Sequence, residues 1–114
     1  MKIGIDLGGS HIGIGVVNDF GIIIEKIEKR ILKQDKAQIC SIIEDYIVEN
    51  VNKYSNKYKI TSIGIAIPGT VSDKTIIKSV NLGIENYNIV EKLEEKSVNW
   101  FRGETDRFDT KYKN

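Results

Sequence analysis

The first thirty residues constrain this chain most. Ile3, Ile5 and Leu7 alternate with Gly4 and Asp6, and Gly8-Gly9-Ser10 then interrupts the pattern. Alternation with a period of two is the mark of a half-buried strand, and a glycine pair is a turn signal. Ile12, Ile14 and Val16 then alternate with Gly13, Gly15 and Val17 over residues 11–17. Asn18-Asp19-Phe20-Gly21 forms a second turn signal, and a third strand is predicted from Ile22 to about Ile31. Strands joined by turns this short can only run antiparallel, because a parallel pair needs a crossover of a dozen or more residues.

Such a crossover follows. Asp35 and Gln38 have the spacing of a capping box, with Asp35 read as the helix cap. Ile39, Ile42, Ile43, Tyr46, Ile47, Val51 and Tyr54 then recur at helical spacing, with Glu44, Asp45 and Glu49 assigned to the wet side. A fourth strand is predicted over Ile60 to Ile67, ended by Pro68-Gly69. A loop or small hairpin is expected through Val71 to Ile77, and a short helix from Asn88 to Lys96 with Ile89, Val90 and Leu93 inward. The predicted order is strand, strand, strand, helix, strand, helix. It suggests an α/β domain with a mixed sheet and helices packed against it.

Composition excludes several function classes. Lys plus Arg number 17 against 16 Asp plus Glu, so no net field favours nucleic acid or an anionic membrane. The longest purely aliphatic runs are as short as Ile22 to Ile24, too short to span a bilayer. Asp6 interrupts the start of the chain where a secretion signal needs continuous apolar residues. The single thiol, Cys40, has no intramolecular disulfide partner and flanks the apolar face of the long helix, where a buried inert thiol is expected. A cytoplasmic protein is the economical reading. The lysines from Lys53 to Lys59 read as a solvated helix end.

The last stretch breaks the pattern. None of the 21 isoleucines lies after Ile89, whereas Trp100, two of the three Arg and two of the three Phe lie beyond residue 97. Residues 1–97 are therefore read as the domain, and residues 98–114 as an aberrant or disordered tail expected to pack poorly.

Two segments could carry chemistry. In Asp6-Leu7-Gly8-Gly9-Ser10, adjacent glycines permit positive φ and keep side chains away from the backbone. Successive backbone N–H groups and the Ser10 hydroxyl could then meet a phosphate. Asp6, on the face opposite Ile3 and Ile5, could hold Mg²⁺ through water. His11 follows as the first residue of a strand. In the second segment, Ile63 to Thr70, an apolar strand ends in a corner where Pro68 fixes φ and Gly69 exposes its N–H. Ligands of α/β sheets gather at such carboxyl ends of strands. Each segment taken alone reads first as a plain turn.

Taken in order, Ile3 to Ser10, Val17-Asn18-Asp19, Ile63 to Thr70 and Asn81-Leu82-Gly83 resemble the N-terminal domain of the ROK sugar kinases, which share the ribonuclease H-like fold of actin-like ATPases. The resemblance covers residues 2 to about 96 and, together with the strand order, implies that the fourth strand lies beside the first and runs parallel to it. It implies that Asp6, Gly8, Gly9 and Ser10 form a phosphate turn for ATP and its Mg²⁺, and that Gly69, Thr70 and Asn81 line a sugar pocket. It also implies phosphoryl transfer from ATP to a sugar hydroxyl, commonly the 6-hydroxyl. The family's general base stands in an Asn-Asp-Ala segment. No Asn-Asp pair follows Leu93, and Asp106 is followed by Arg107-Phe108 where small residues are expected, so Asp106 does not match that motif. The family's zinc site, its sugar-binding glutamates and its adenosine lobe are expected to lie beyond this chain, which by itself is expected to be inactive. Two alternatives share the resemblance: a sugar-sensing module of the ROK repressor type, whose DNA-binding segment would precede the first strand, and a non-catalytic actin-like scaffold.

Overall fold

The computed structural model describes residues 1–72, 75–96 and 108–113, and for Lys33 and residues 108–113 it describes the backbone alone. Strands β1 (Lys2–Leu7), β2 (His11–Val17) and β3 (Ile23–Arg30) form an antiparallel meander. A 3-10 helix (Lys33–Gln38) leads into α1 (Ile39–Lys57), and β4 (Ser62–Pro68) returns parallel to β1 with Ile3 opposite Ile63 and Ile5 opposite Ile65. This is the arrangement expected from the strand order together with the family resemblance. The chain continues through β5 (Thr70–Ser72), β6 (Thr75–Ser79) and β7 (Ile84–Tyr87), then α2 (Ile89–Lys96) and β8 (Phe108–Lys113).

The main sheet has the order β3-β2-β1-β4-β8. Its buried face carries Ile3, Ile5, Leu7, Ile12, Ile14, Ile63, Ile65 and Ile67, packed in one core with Ile43, Ile47, Val51 and Tyr54 of α1 and Ile89, Val90 and Leu93 of α2. Alternation explains the opposite face, since every second residue must point away from the helices. There Gly4 lies opposite both Gly15 and Gly64, and Asp6 opposite both Gly13 and Ala66, leaving a floor of small residues. Among the described residues no helix is long and apolar enough to cross a membrane.

Four local expectations need correction. Asp35 is not the cap residue: its carboxylate accepts the backbone N–H of Leu32 at 2.7 Å, so it tethers the start of the 3-10 helix from inside, and α1 begins only at Ile39. Glu44 is not on the wet side. It is 8 % exposed because the Tyr87 hydroxyl donates to its carboxylate and Lys96 Nζ pairs with it at 2.9 Å, so α1, β7 and α2 close over it. The stretch after Pro68 is more than one hairpin: β7 adds a third antiparallel strand beside β6. Finally, at 108–113 the backbone departs from the expected tail. It forms β8, parallel to β4, with Ile63 opposite Phe108 and Pro68 opposite Lys113. Pairing there satisfies N–H and C=O groups along β4 that an edge strand would leave open. Residues 97–107, Asp106 among them, and Asn114 lie outside the described residues.

Candidate functional site

The turn after β1 is closed by the Gly8 N–H donating to the His11 carbonyl at 2.9 Å, and is tied to the chain beyond β3 by the Ile31 N–H donating to the Ser10 carbonyl at 2.7 Å. Ser10 is exposed, and its Oγ lies 3.3 Å from His11 Nδ1. The glycines are needed for a reason other than the one predicted. Among the described residues positive φ occurs at Gly21, Gly83 and Asn86, not at Gly8 or Gly9. What Gly9 requires is room: a Cβ there would stand 3.3 Å from both the Cβ and the carbonyl oxygen of Asn81. The phosphate-turn candidate and the Asn81 loop therefore abut. Because the Gly8 N–H is already used, Gly9 and Ser10 are the turn residues left to meet an anion.

The corner after β4 is built the same way. A Cβ on Gly69 would fall 2.3 Å from the Lys78 carbonyl oxygen and 2.9 Å from Ser79 Cα, so β6 passes too close for any side chain. Ser79, 1 % exposed, donates its hydroxyl to the Pro68 carbonyl at 2.6 Å, and its own carbonyl accepts the Gly83 N–H at 2.8 Å. Gly83 has φ +70°, a conformation that a side chain would strain. Asn81 sits at the tip of this turn, exposed, as is Thr70 at the start of β5.

Asp6 is exposed on the glycine floor of the sheet, beside a shallow hollow of about 140 Å³ lined with Gly4, Gly13, Gly15 and Lys26 among others. No group of three or more His, Cys, Asp or Glu side chains that could hold a metal occurs among the described residues. Asp6 would meet Mg²⁺ as a single carboxylate, through water, as a hard hydrated cation permits. The Cys40 thiol is half-buried, and burial, with the Glu44 carboxylate secondarily, pushes its pKa up and disfavours the reactive thiolate.

Gly8, Gly9 and Ser10 thus lie beside Asn81, and Asn81 is joined through Ser79 to the Pro68-Gly69 corner. Two residues of the arrangement carry no sequence signal. Lys36 donates from Nζ to the Gly9 carbonyl at 2.9 Å and to the Asn81 carbonyl at 2.8 Å. Ser79 reads in the sequence as one more polar residue of a hairpin.

The sequence matches the ROK family over residues 2–106. The chain belongs to the ROK family. Among relatives of this ROK chain, a glucokinase from Halalkalibacterium halodurans is 30% identical over 99 residues, covering 83% of this chain and 30% of the relative. A beta-glucoside kinase from Listeria innocua is 31% identical over 101 residues, covering 85% of this chain and 32% of that protein. Among solved structures, a ROK family glucokinase from Streptomyces griseus, in complex with glucose and AMPPNP, superposes with a TM-score of 0.70 at 27% identity, over 83% of this chain and 30% of that one. The ROK chain therefore spans about a third of the length of its curated relatives, and its fold is the mixed α/β, actin-like fold of the ROK kinases.

Proposed function

We propose that this chain is the sugar-side portion of an ATP-dependent hexose kinase, contributing the phosphate turn and part of the sugar pocket. The observation that carries the reading is the approach of Gly9 to Asn81, where an added Cβ would stand 3.3 Å from the asparagine. Phosphoryl transfer is mostly a matter of positioning and charge stabilisation, with the reacting atoms brought to about 3–3.5 Å. A phosphate turn abutting a sugar loop meets the first requirement of that chemistry.

In this reading the backbone of Gly9 and Ser10 and the Ser10 hydroxyl meet the terminal phosphate of ATP. Asp6 holds the accompanying Mg²⁺ through water, which supplies charge neutralisation at the transferring phosphoryl group. The Gly69 N–H and the side chains of Thr70 and Asn81 take ring hydroxyls of the sugar, and the acceptor is commonly the 6-hydroxyl. The general base is not assigned to any residue of this chain.

Titrating the ¹⁵N-labelled chain with glucose, and separately with ATP and Mg²⁺, tests the assignment. Glucose is expected to shift the amides of Gly69, Thr70 and Asn81, and the nucleotide those of Gly9 and Ser10. Millimolar glucose that moves none of the first three would defeat the sugar-pocket reading.

A further inference from the structure

Lys36 joins two segments that the chain keeps far apart. Its ammonium donates to the Gly9 carbonyl, 27 residues away, and to the Asn81 carbonyl, 45 residues away, at 2.9 and 2.8 Å. An ammonium has three N–H donors and no acceptor, so two of its three donors are committed to these contacts. Hydrogen bonds from an ionised donor are roughly twice as strong as neutral ones. The lysine stem is itself anchored, because Asp35 ties the start of the 3-10 helix to Leu32 and the Ile31 N–H holds the preceding residues to Ser10. The bridge therefore starts from a fixed base, and it ends on two carbonyls at the tips of two turns.

We propose that Lys36 is a positioning residue that couples the phosphate turn to the Asn81 loop and sets their spacing. If either turn moves relative to the other, one charge-assisted hydrogen bond must break. The close approach of Gly9 to Asn81 limits movement inward, and the Lys36 bridge limits movement outward, so the two contacts together define one separation. The catalytic meaning of that separation, phosphate subsite held against sugar subsite, rests on the function proposed above. The coupling itself needs no ligand.

Lys36→Met keeps the length of the stem and removes every donor. Amide hydrogen exchange on the ligand-free chain should quicken by about tenfold at Gly8 and Ile31 on the turn side and also at Leu82 and Gly83 on the loop side, while amides within β1 and β4 stay unchanged. Lys36→Arg, which retains donors and charge, should restore much of the protection. Exchange that is unaffected, that changes on one side only, or that quickens equally in β1 and β4 would overturn the proposal. If Lys36→Met does not fold, the native chain still decides. A slowly exchanging Lys36 ammonium with scalar coupling to the Gly9 and Asn81 carbonyl carbons supports the bridge, and a freely exchanging one refutes it. The glucose titration separates the two readings. Coupled exchange without any sugar response leaves the bridge standing and removes the kinase role, whereas a sugar response without coupled exchange does the reverse.

Discussion

The Ser79 hydroxyl donates to the Pro68 carbonyl at 2.6 Å, joining the end of β6 to the corner where β4 leaves the main sheet. The hydroxyl end of the bond is removed from water, since Ser79 is 1 % exposed, while Pro68 is half-buried. Ser79→Ala leaves the half-buried Pro68 carbonyl without that donor and the buried Leu82 N–H without its hydroxyl acceptor, and a buried group stripped of its partner costs about 1–3 kcal/mol. Urea unfolding should report a loss in that range with an unchanged slope, and glucose-induced shifts at Gly69 and Asn81 should weaken together. A loss below a few tenths of a kcal/mol would show that the corner is held by other means.

Two glycines on one strand and its following corner should respond in opposite directions. Gly69→Ala drives a Cβ to 2.3 Å from the Lys78 carbonyl oxygen, backbone against side chain, and should destabilise by about 2 kcal/mol or more. Gly64→Ala meets nothing within 4 Å and should stabilise by about 0.4–1 kcal/mol, by restricting the unfolded chain. Chemical denaturation of the two variants side by side checks both signs.

Alkaline stability should report Tyr87. Burial, and then its hydrogen bond to Glu44, push the Tyr87 phenol well above the ordinary tyrosine value. The folded chain therefore keeps a proton that the unfolded chain releases above about pH 10. Stability from this group is fully present below that pH and is lost as pH rises, by up to about 1.4 kcal/mol per pH unit for one proton. Lys57 and Lys96, raised by Glu25 and by Glu44 respectively, push in the same direction. Unfolding midpoints from pH 9 to 11 should fall more steeply in the native chain than in Tyr87→Phe, and parallel slopes would contradict the assignment.

Catalysis by the 114-residue chain is the fourth test. Proper positioning of reactants is worth effective molarities of about 10⁵ to 10⁸ M, and a general base about 10²- to 10⁴-fold. The chain spans 30% of the glucokinase from Halalkalibacterium halodurans, and it carries no Asn-Asp pair after Leu93. A coupled assay with glucose and N-acetyl-mannosamine should show no sugar-dependent ADP release. Turnover that vanishes in Asp106→Asn would assign the general base to Asp106 and reverse this expectation.

Periodicity alone determined the elements of the skeleton. Ile3, Ile5 and Leu7 against Gly4 and Asp6 specify a strand and its buried face. The short turns specify the antiparallel meander, and the helical spacing from Ile39 to Tyr54 specifies the crossover helix before β4, whose place parallel to β1 followed only with the family resemblance. Asp6, Gly8, Gly9, Ser10 and Gly69 could be singled out because glycine and proline mark turns locally, whereas Asn81 stood out only through the family resemblance. Tertiary structure alone decided what each turn meets. Glu44 looks solvent-facing until Tyr87, 43 residues on, donates to it. Gly69 looks like a flexible corner until the backbone of Lys78 arrives at its α-carbon. Lys36 looks like any surface lysine until Gly9 and Asn81 bring their carbonyls to its ammonium. Local periods are written into neighbouring residues, whereas these contacts depend on how separate elements come to rest against one another, and no short stretch of sequence holds both partners.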